Sequence, residues 1–232
     1  RPFRQPQQTA GADPPPDARP LMQLPLFPLN TVLFPGGVLP LRVFEARYMD
    51  MVRQCMKRTA PFGVVLITRG GEVGAPAATE SVGTLARIAA WDMPQLGLLH
   101  LRAVGGDRFR IEQAELQPDG LQLARVEPIA PDDDSPLGEQ YRPCADLLQR
   151  VIDDVVGQRT EDGDDAQDPI NSVPFEAPYR FDSSVWVGNR LCEFMPIPLR
   201  ARQKLMELQD ATSRLQLVHR FLVQHGVLKS ND

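Results

Sequence analysis

Residues 24–48 read Leu-Pro-Leu-Phe-Pro-Leu-Asn-Thr-Val-Leu-Phe-Pro-Gly-Gly-Val-Leu-Pro-Leu-Arg-Val-Phe-Glu-Ala-Arg-Tyr, and this stretch decides how the fold begins. Its first leucines are interrupted by Pro25 and Pro28. A proline cannot donate to a β-ladder, so this segment predicts an edge strand that ends in a turn. Pro35-Gly36-Gly37 predicts a second turn, and residues 38–43 predict a short extended segment.

A helix is predicted directly after these strands. Its apolar side chains recur at helical spacing, at Phe44, Tyr48, Met51, Val52 and Cys55. Glu45 lies near its start and Lys57-Arg58 at its end, as the helix dipole favours.

Beyond the helix, apolar and β-branched runs alternate with glycine and proline turns. The runs are Phe62 to Thr68, Val82 to Trp91, Leu96 to Val104, Asp107 to Gln117 and Leu121 to Ile129. We interpret Gly70-Gly71 and Gly105-Gly106 as turns between them. A turn about every ten residues is typical of an antiparallel barrel or a curled sheet.

The second half of the chain reads as helical. Pro131-Asp-Asp-Asp-Ser135 is interpreted as a solvated boundary loop, and the acidic stretch 160–168 as another. Helices are predicted from Leu137 to Gln158, from a cap at Ser183 or Ser184 to Phe194, and from near Leu199 to Gly226. The fold class is therefore α+β, with a disordered lead-in at 1–20, a β-rich subdomain with one helix at 21–131 and a helical subdomain at 132–232.

Bulk properties limit the class of protein. The formal net charge is -5, whereas a protein that binds a phosphate backbone needs a surplus of Lys and Arg on one face. The chain has neither an apolar run long enough to span a bilayer nor a signal-peptide pattern, so we expect a cytoplasmic protein without a membrane partner. Cys55, Cys144 and Cys192 form no CxxC pattern, which predicts reduced thiols.

Six motifs occur in a fixed order. They are Leu24-Pro-Leu-Phe-Pro-Leu29 with Val32-Leu-Phe-Pro-Gly36, Leu39-Pro-Leu-Arg-Val-Phe-Glu-Ala-Arg-Tyr48, Phe62-Gly-Val-Val-Leu-Ile67, Val82-Gly-Thr-Leu-Ala-Arg-Ile88, Gly106-Asp-Arg-Phe-Arg-Ile111 and Met195-Pro-Ile-Pro-Leu199. With Ala124-Arg-Val-Glu127, Lys204-Leu-Met-Glu207 and Arg214-Leu215 they cover the chain from about Leu24 to Leu222 and resemble the N-terminal domain of the Lon (ATP-dependent protease La) family. Ala46 departs from the proline usual in that family, and the acidic loop is particular to this chain.

The resemblance implies a fold and a role. The expected fold is a β-rich pseudo-barrel similar to PUA-like domains, followed by a helical bundle. The expected role is substrate recognition, in a stand-alone member without the ATPase and protease parts. The partners so implied are unfolded or extended polypeptides and a separate ATPase or protease.

Sequence motifs for catalysis are missing. The chain has no Walker A segment, and Lys57, Lys204 and Lys229 stand in no arrangement that would activate a serine. The three histidines have no metal-ligand spacing, and the acidic runs have no calcium-loop spacing. We therefore predict no catalytic residue, no metal site and no cofactor.

The candidate peptide-binding residues are Phe27, Phe34, Phe44, Glu45, Arg47 and Tyr48. In the functional interpretation, the charges pair polar groups of an extended peptide and the rings contact its apolar side chains. In the structural interpretation, Glu45 and Arg47 fix the helix start and a loop, while Phe27 and Phe34 anchor the core.

Two functions follow from these interpretations. The first is a non-catalytic recognition or adaptor domain that binds extended polypeptide, with a groove between barrel and helices as the default site. The alternative is an RNA- or nucleotide-binding PUA-like module. It would need Arg42, Arg47, Arg53, Lys57 and Arg58 to form one basic strip, and the net charge weighs against it.

Overall fold

The computed structural model describes residues 21–161, 170 and 173–229. A seven-stranded sheet and five α-helices make up this part of the chain, so the predicted α+β class is confirmed. The strands are β1 (Met22–Leu29), β2 (Val38–Val43), β3 (Phe62–Arg69), β4 (Ala78–Thr79), β5 (Val82–Gln95), β6 (Leu98–Leu116) and β7 (Gln122–Pro128). The helices are α1 (Ala46–Arg58), α2 (Arg142–Glu161), α3 (Ser184–Phe194), α4 (Leu199–Glu207) and α5 (Ala211–Gln224). The predicted lead-in at 1–20 lies outside the described residues, as do residues 162–168 of the predicted acidic loop.

Five of the strands close into a barrel. They are joined in the order β1, β7, β6, β5 and β3, and a parallel pairing of β1 with β3 completes the ring. β1 changes partner along its length, because residues 22–26 pair with β7 and residues 26–29 pair with β3. As a whole β1 is therefore an internal strand of the barrel and not the predicted edge strand, although residues 22–25 keep one open side. Each half of β1 has a partner strand on one side only. The missing N–H groups of Pro25 and Pro28 therefore need not interrupt a ladder on both sides of the strand.

β6 is one continuous strand of 19 residues, and this overturns the predicted turn at Gly105-Gly106. The N–H of Gly105 donates to the carbonyl oxygen of Gly37 at 2.8 Å. A Cβ atom at Gly105 would collide with the carbonyl oxygen of Phe34. Glycine is required here because two backbones approach closely, not because the chain turns.

α1 ends at Arg58, where its apolar period predicts. Its buried side chains, Tyr48, Met51 and Val52 among them, pack with β1, β2, β3 and β6 in one hydrophobic cluster. A second cluster, which includes Phe109, fills the barrel between β1, β3, β6 and β7. Since β1 contributes side chains to both clusters, it is buried on both faces.

The predicted helices of the second half are present with altered ends. α2 begins at Arg142 after a 3₁₀ turn at Glu139–Tyr141, later than the predicted Leu137. It continues to Glu161, so the beginning of the predicted acidic loop is helical.

Side-chain caps define the last helices. The Ser183 side chain accepts a hydrogen bond from the N–H of Trp186 and caps α3, as one of the two predicted alternatives had it. The single helix predicted from Leu199 is two helices, because Asp210 starts α5 by accepting bonds from the N–H groups of Thr212 and Ser213.

The barrel and the helices share one hydrophobic cluster. Val32, Phe34 and Val82 from the β-rich half pack there with helix residues such as Leu148 and Leu215. Packed side chains thus fill the part of the junction where the sequence had suggested a groove.

A buried polar network crosses the same junction. The carboxylate of Asp132 pairs with Arg108 of β6 and, at 2.6 Å, with Arg214 of α5. These side chains are 1–2% exposed, so Asp132 does not belong to a solvated loop as predicted. Burial lowers the pKa of Arg108, and the charge of Asp132 acts in the opposite direction.

Arg108 also donates to the carbonyl oxygens of Met206 and Leu208, at 2.8 and 2.7 Å, which fixes the end of α4 against the barrel.

Cys55, Cys144 and Cys192 are buried free thiols, in agreement with the prediction of reduced cysteines. Burial raises the pKa of Cys144 and of Cys192 to about 12. Both thiols are therefore protonated and unreactive at neutral pH.

Candidate functional site

Four of the six predicted peptide-binding residues meet in one groove. Phe27, Phe44, Glu45 and Tyr48 line it, between the end of β1, the strand β2 and the first turn of α1. Its volume is about 320 Å³, and we call it the α1 N-terminal groove. Its lining also includes Leu29, Leu39, Leu41, Arg42, Glu72 and Val73.

The floor of the α1 N-terminal groove is an aromatic stack. The rings of Phe27 and Tyr48 lie 4.2 Å apart at an angle of 20°, and Phe62 supports Phe27 from below at 6.0 Å. Phe27 and Tyr48 are buried. Burial raises the pKa of the Tyr48 phenol, so this group is neutral at physiological pH. The floor is therefore a preformed apolar layer, of which only a small part is exposed.

The rim of the groove carries one exposed ring and a few charges. Phe44 is 58% exposed. The Glu45 carboxylate pairs with Arg47 at 3.0 Å and remains partly exposed, whereas Arg42 is exposed on β2. Glu72 accepts a hydrogen bond from the N–H of Asn30 at 2.6 Å. An apolar floor with opposite charges beside it is suited to a ligand that has both apolar and polar groups.

Arg47 lies outside the lining of the groove and ties two loops to α1. It donates to the carbonyl oxygens of Gly74 at 2.8 Å and Gly120 at 3.1 Å, and its guanidinium lies over the Tyr48 ring at 4.7 Å. These contacts are those expected from the structural interpretation of Arg47. They also place the loop with Val73 at the rim of the groove.

Phe34 lies elsewhere. It is fully buried in the cluster that the barrel shares with the helices. In this structure Phe34 is a core anchor and cannot contact a ligand without unfolding of the junction.

The basic strip on which nucleic-acid binding would depend is interrupted. Arg47 is buried and directed into the loops, and Arg53 pairs with Asp50 at 3.1 Å. The remaining exposed cations are Arg42 on β2 and Lys57-Arg58 at the opposite end of α1. A phosphate backbone would not meet one continuous basic surface there.

The described residues hold no arrangement of three or more His, Cys, Asp or Glu side chains that could bind a metal ion. No helix in the described ranges combines the length and the apolar character needed to span a bilayer.

Sequence reasoning missed part of the lining. Leu39 and Leu41 contribute from β2, and their alternation with exposed positions is a readable strand signal. Val73 had no such signal, because its loop is placed by the distant contact between Arg47 and Gly74.

Residues 23–224 match the family described as the ATP-dependent protease La (LON) substrate-binding domain. The chain is similar to the Lon protease of Paraburkholderia phytofirmans, with 27% identity over 219 residues that cover 91% of this chain and 25% of the protease. It is also similar to cereblon of Xenopus tropicalis, with 31% identity over 109 residues that cover 45% of this chain and 23% of cereblon. The chain thus spans about a quarter of the length of the curated relatives that it matches.

Two solved structures resemble this one. A Lon N-terminal domain protein from Xanthomonas campestris has a TM-score of 0.66 and 32% identity, and the match covers 86% of this chain and 98% of that protein. The N-terminal domain of the Mycobacterium avium complex Lon protease has a TM-score of 0.51 at 14% identity, covering 88% of this chain and 100% of that domain, which shows likeness of fold alone. The fold expected from the sequence motifs is thereby confirmed.

Proposed function

Since this chain belongs to the LON substrate-binding domain family, we propose that it recognises unfolded or extended polypeptide and that the α1 N-terminal groove holds part of that polypeptide. The observation that carries the proposal is Phe44, whose ring is 58% exposed beside a formed apolar floor. Exposed aromatic residues next to a pocket are typical anchors of protein interfaces.

The floor supports binding without rearrangement. Phe27 and Tyr48 are buried and stacked before any ligand arrives. A ligand side chain that enters the groove therefore gains apolar contact without the cost of ordering the protein.

An extended polypeptide fits the mixed lining of the groove. Its side chains point alternately to opposite sides, so an apolar side chain can contact Phe44 while its neighbours reach water. Arg42 and Glu45 offer opposite charges beside the floor and can bind polar or charged neighbours. Recognition would then depend on chain extension and apolar content more than on one sequence.

The proposal assigns recognition and not catalysis to this chain. The relatives that it matches along most of its length are Lon proteases, of which it covers about a quarter. In this proposal, bound polypeptide is delivered to an ATPase and protease.

Fluorescence anisotropy tests the proposal with a labelled, reduced and carboxymethylated polypeptide as the probe. We expect saturable binding that Phe44→Ser weakens about tenfold or more, because a buried Phe contributes about 1.5–3 kcal/mol. Leu217→Ser is the matched control, since Leu217 is 44% exposed on α5, outside this groove. Lack of saturable binding by the unaltered chain, or equal loss in both variants, would sink the proposal.

A further inference from the structure

A larger groove lies at the other end of α1. It has a volume of about 720 Å³, within the range of ligand pockets. Residues 22–25 of β1 form one wall, the C-terminal half of α1 with Ala60-Pro61 forms another, and the β6–β7 hairpin forms the third. We call it the amide groove, after the glutamines Gln23, Gln54 and Gln117 in its lining.

We propose that the amide groove is a second polypeptide-binding site, which takes an uncharged, extended, apolar segment and binds its main chain. The ligand class is that of the proposed function, but this site shares no residue with the α1 N-terminal groove. Each of the two sites can therefore fail without the other.

The first support is the apolar surface of the amide groove. Met22, Pro25 and Leu121 are half-buried in its walls, with Leu24 and Met51 buried behind them. Such a surface gains free energy when apolar side chains cover it.

The second support is an open strand edge beside this surface. β1 pairs with β3 only from Leu26 onward, opposite Gly63. Pro61 has no N–H and cannot extend that ladder backwards. Within the described residues, positions 22–25 therefore have a strand partner on the β7 side alone. Pro25 offers no N–H here, so an extended peptide would bind this edge mainly by donating its own N–H groups to the carbonyl oxygens of β1.

The third support is the chemistry of the glutamines. The side chains of Gln23 and Gln54 are exposed and that of Gln117 is half-buried, and in the described part of the chain none of the three has a hydrogen-bond partner. A primary amide both donates and accepts, and so does a peptide main chain. These solvent-accessible amides can exchange water for a peptide main chain without breaking a contact within the protein, and an amide pairs with a main chain better than with an ion.

The charge of the lining points the same way. Arg58 and Asp119 contribute one charge of each sign. A groove with no net charge lacks the cationic surplus that a nucleic acid requires. Binding at the amide groove should therefore change little between about 50 mM and about 500 mM salt.

Isothermal titration with a neutral, apolar heptapeptide tests the proposal on the full chain. We expect two peptides per chain, and one in the double variant Gln54→Leu/Gln117→Leu, because two hydrogen-bonding groups are lost and affinity at that site falls about tenfold or more. Leucine is one atom shorter and more apolar than glutamine, so the groove keeps its apolar surface and a loss of affinity reports the missing amides. Gln216→Leu on the exposed face of α5 is the matched control and should leave both sites.

A second probe tests the main-chain contact directly. The same peptide with alternate N-methylated amides should lose the site in the amide groove, since it cannot donate from those positions. Equal binding of both peptides to the Phe44→Ser variant would overturn the proposal.

The outcomes separate the two sites. If the unaltered chain binds one peptide and only Phe44→Ser removes it, the amide groove is not a peptide site. If only the glutamine variant removes it, the amide groove stands and the α1 N-terminal groove fails. No binding at all overturns both. Concentration-dependent dimerisation in sedimentation velocity that the glutamine variant abolishes would make a second copy the occupant and also overturn the proposal.

Discussion

Arginine joins distant segments at several places in this molecule, and two of them make a useful comparison: the junction between barrel and helices and the start of α1. At the junction, Arg108 and Arg214 share Asp132, and all three side chains are 1–2% exposed. At the start of α1, Arg47 pairs with Glu45, whose side chain is 22% exposed. The ionic chemistry is the same at both places. The difference teaches that access to water, and not the presence of an ion pair, sets the cost of breaking it.

Removing the carboxylate at the junction should give the largest effect. Asp132→Asn leaves two buried guanidinium groups without a counter-charge, so we expect the free energy of unfolding to fall by about 3–5 kcal/mol in urea titration. Asp133→Asn is the control for the same chemical change at the exposed neighbour, with an expected effect within about 0.5 kcal/mol. A loss below about 1 kcal/mol for Asp132→Asn would mean that water reaches the junction.

A carboxylate near the same junction sharpens the comparison through pH. Burial raises the pKa of Glu193 to about 7, although Arg190 lies 3.0 Å away and opposes the shift. The folded chain then holds a proton that the unfolded chain has lost, between the ordinary pKa of 4.5 and about 7. Stability contributed by the protonated group is present below this window and is lost as the pH rises through it.

The variant Glu193→Gln removes this titration. Between pH 5 and pH 7.5, we expect the unaltered chain to lose about 2 kcal/mol more unfolding free energy than the variant does. Denaturant titrations at the two pH values measure the difference. Parallel pH profiles for the two proteins would show that Glu193 is ionised in the folded chain throughout.

The start of α1 should give the smallest effect. Arg47→Lys keeps the charge but loses the planar fork that reaches Gly74 and Gly120 together, so we expect a loss of about 1–2 kcal/mol. Hydrogen exchange should show faster opening of the two loops. Arg53→Lys is the control, because its pair with Asp50 is exposed and should change stability by less than about 0.5 kcal/mol. A cost as large as that of Asp132→Asn would erase the distinction between the two places.

What the sequence could predict follows from where each signal lies. The period of α1 and the run of β3 are local signals, and they predict these elements close to their observed bounds. The run of β5 predicts its start at Val82, but the strand continues to Gln95, beyond the predicted Trp91. Asp132 and Asp133 look alike in the sequence. What separates them is Arg214, 82 residues away, which no local pattern contains. The local sequence predicts a turn at Gly105 for the same reason, because the backbone that this glycine contacts belongs to residues 34–37.

The candidate site shows the same division. Phe44, Glu45 and Tyr48 adjoin in sequence and line one groove, whereas Arg47 lies outside that lining. Phe27 joins them through its stack on Tyr48. Phe34 could not be separated from Phe27 by type or spacing. Phe27 packs with α1, whereas Phe34 packs in the cluster that the barrel shares with the later helices. This difference depends on how the helices pack against the barrel.

The closure of the barrel by β1 has a consequence for synthesis on the ribosome. Met22 pairs with Val126, so the first strand cannot complete its ladder until the last strand has been made. At about 5–20 residues per second, translation of the intervening chain takes roughly 5–20 s. During that time residues 22–25 of β1 lack a strand partner and could template association with other nascent chains, whereas residues 26–29 can already pair with β3. Pro25 and Pro28 each remove a main-chain donor from β1, and the strand thereby carries its own protection until β7 emerges.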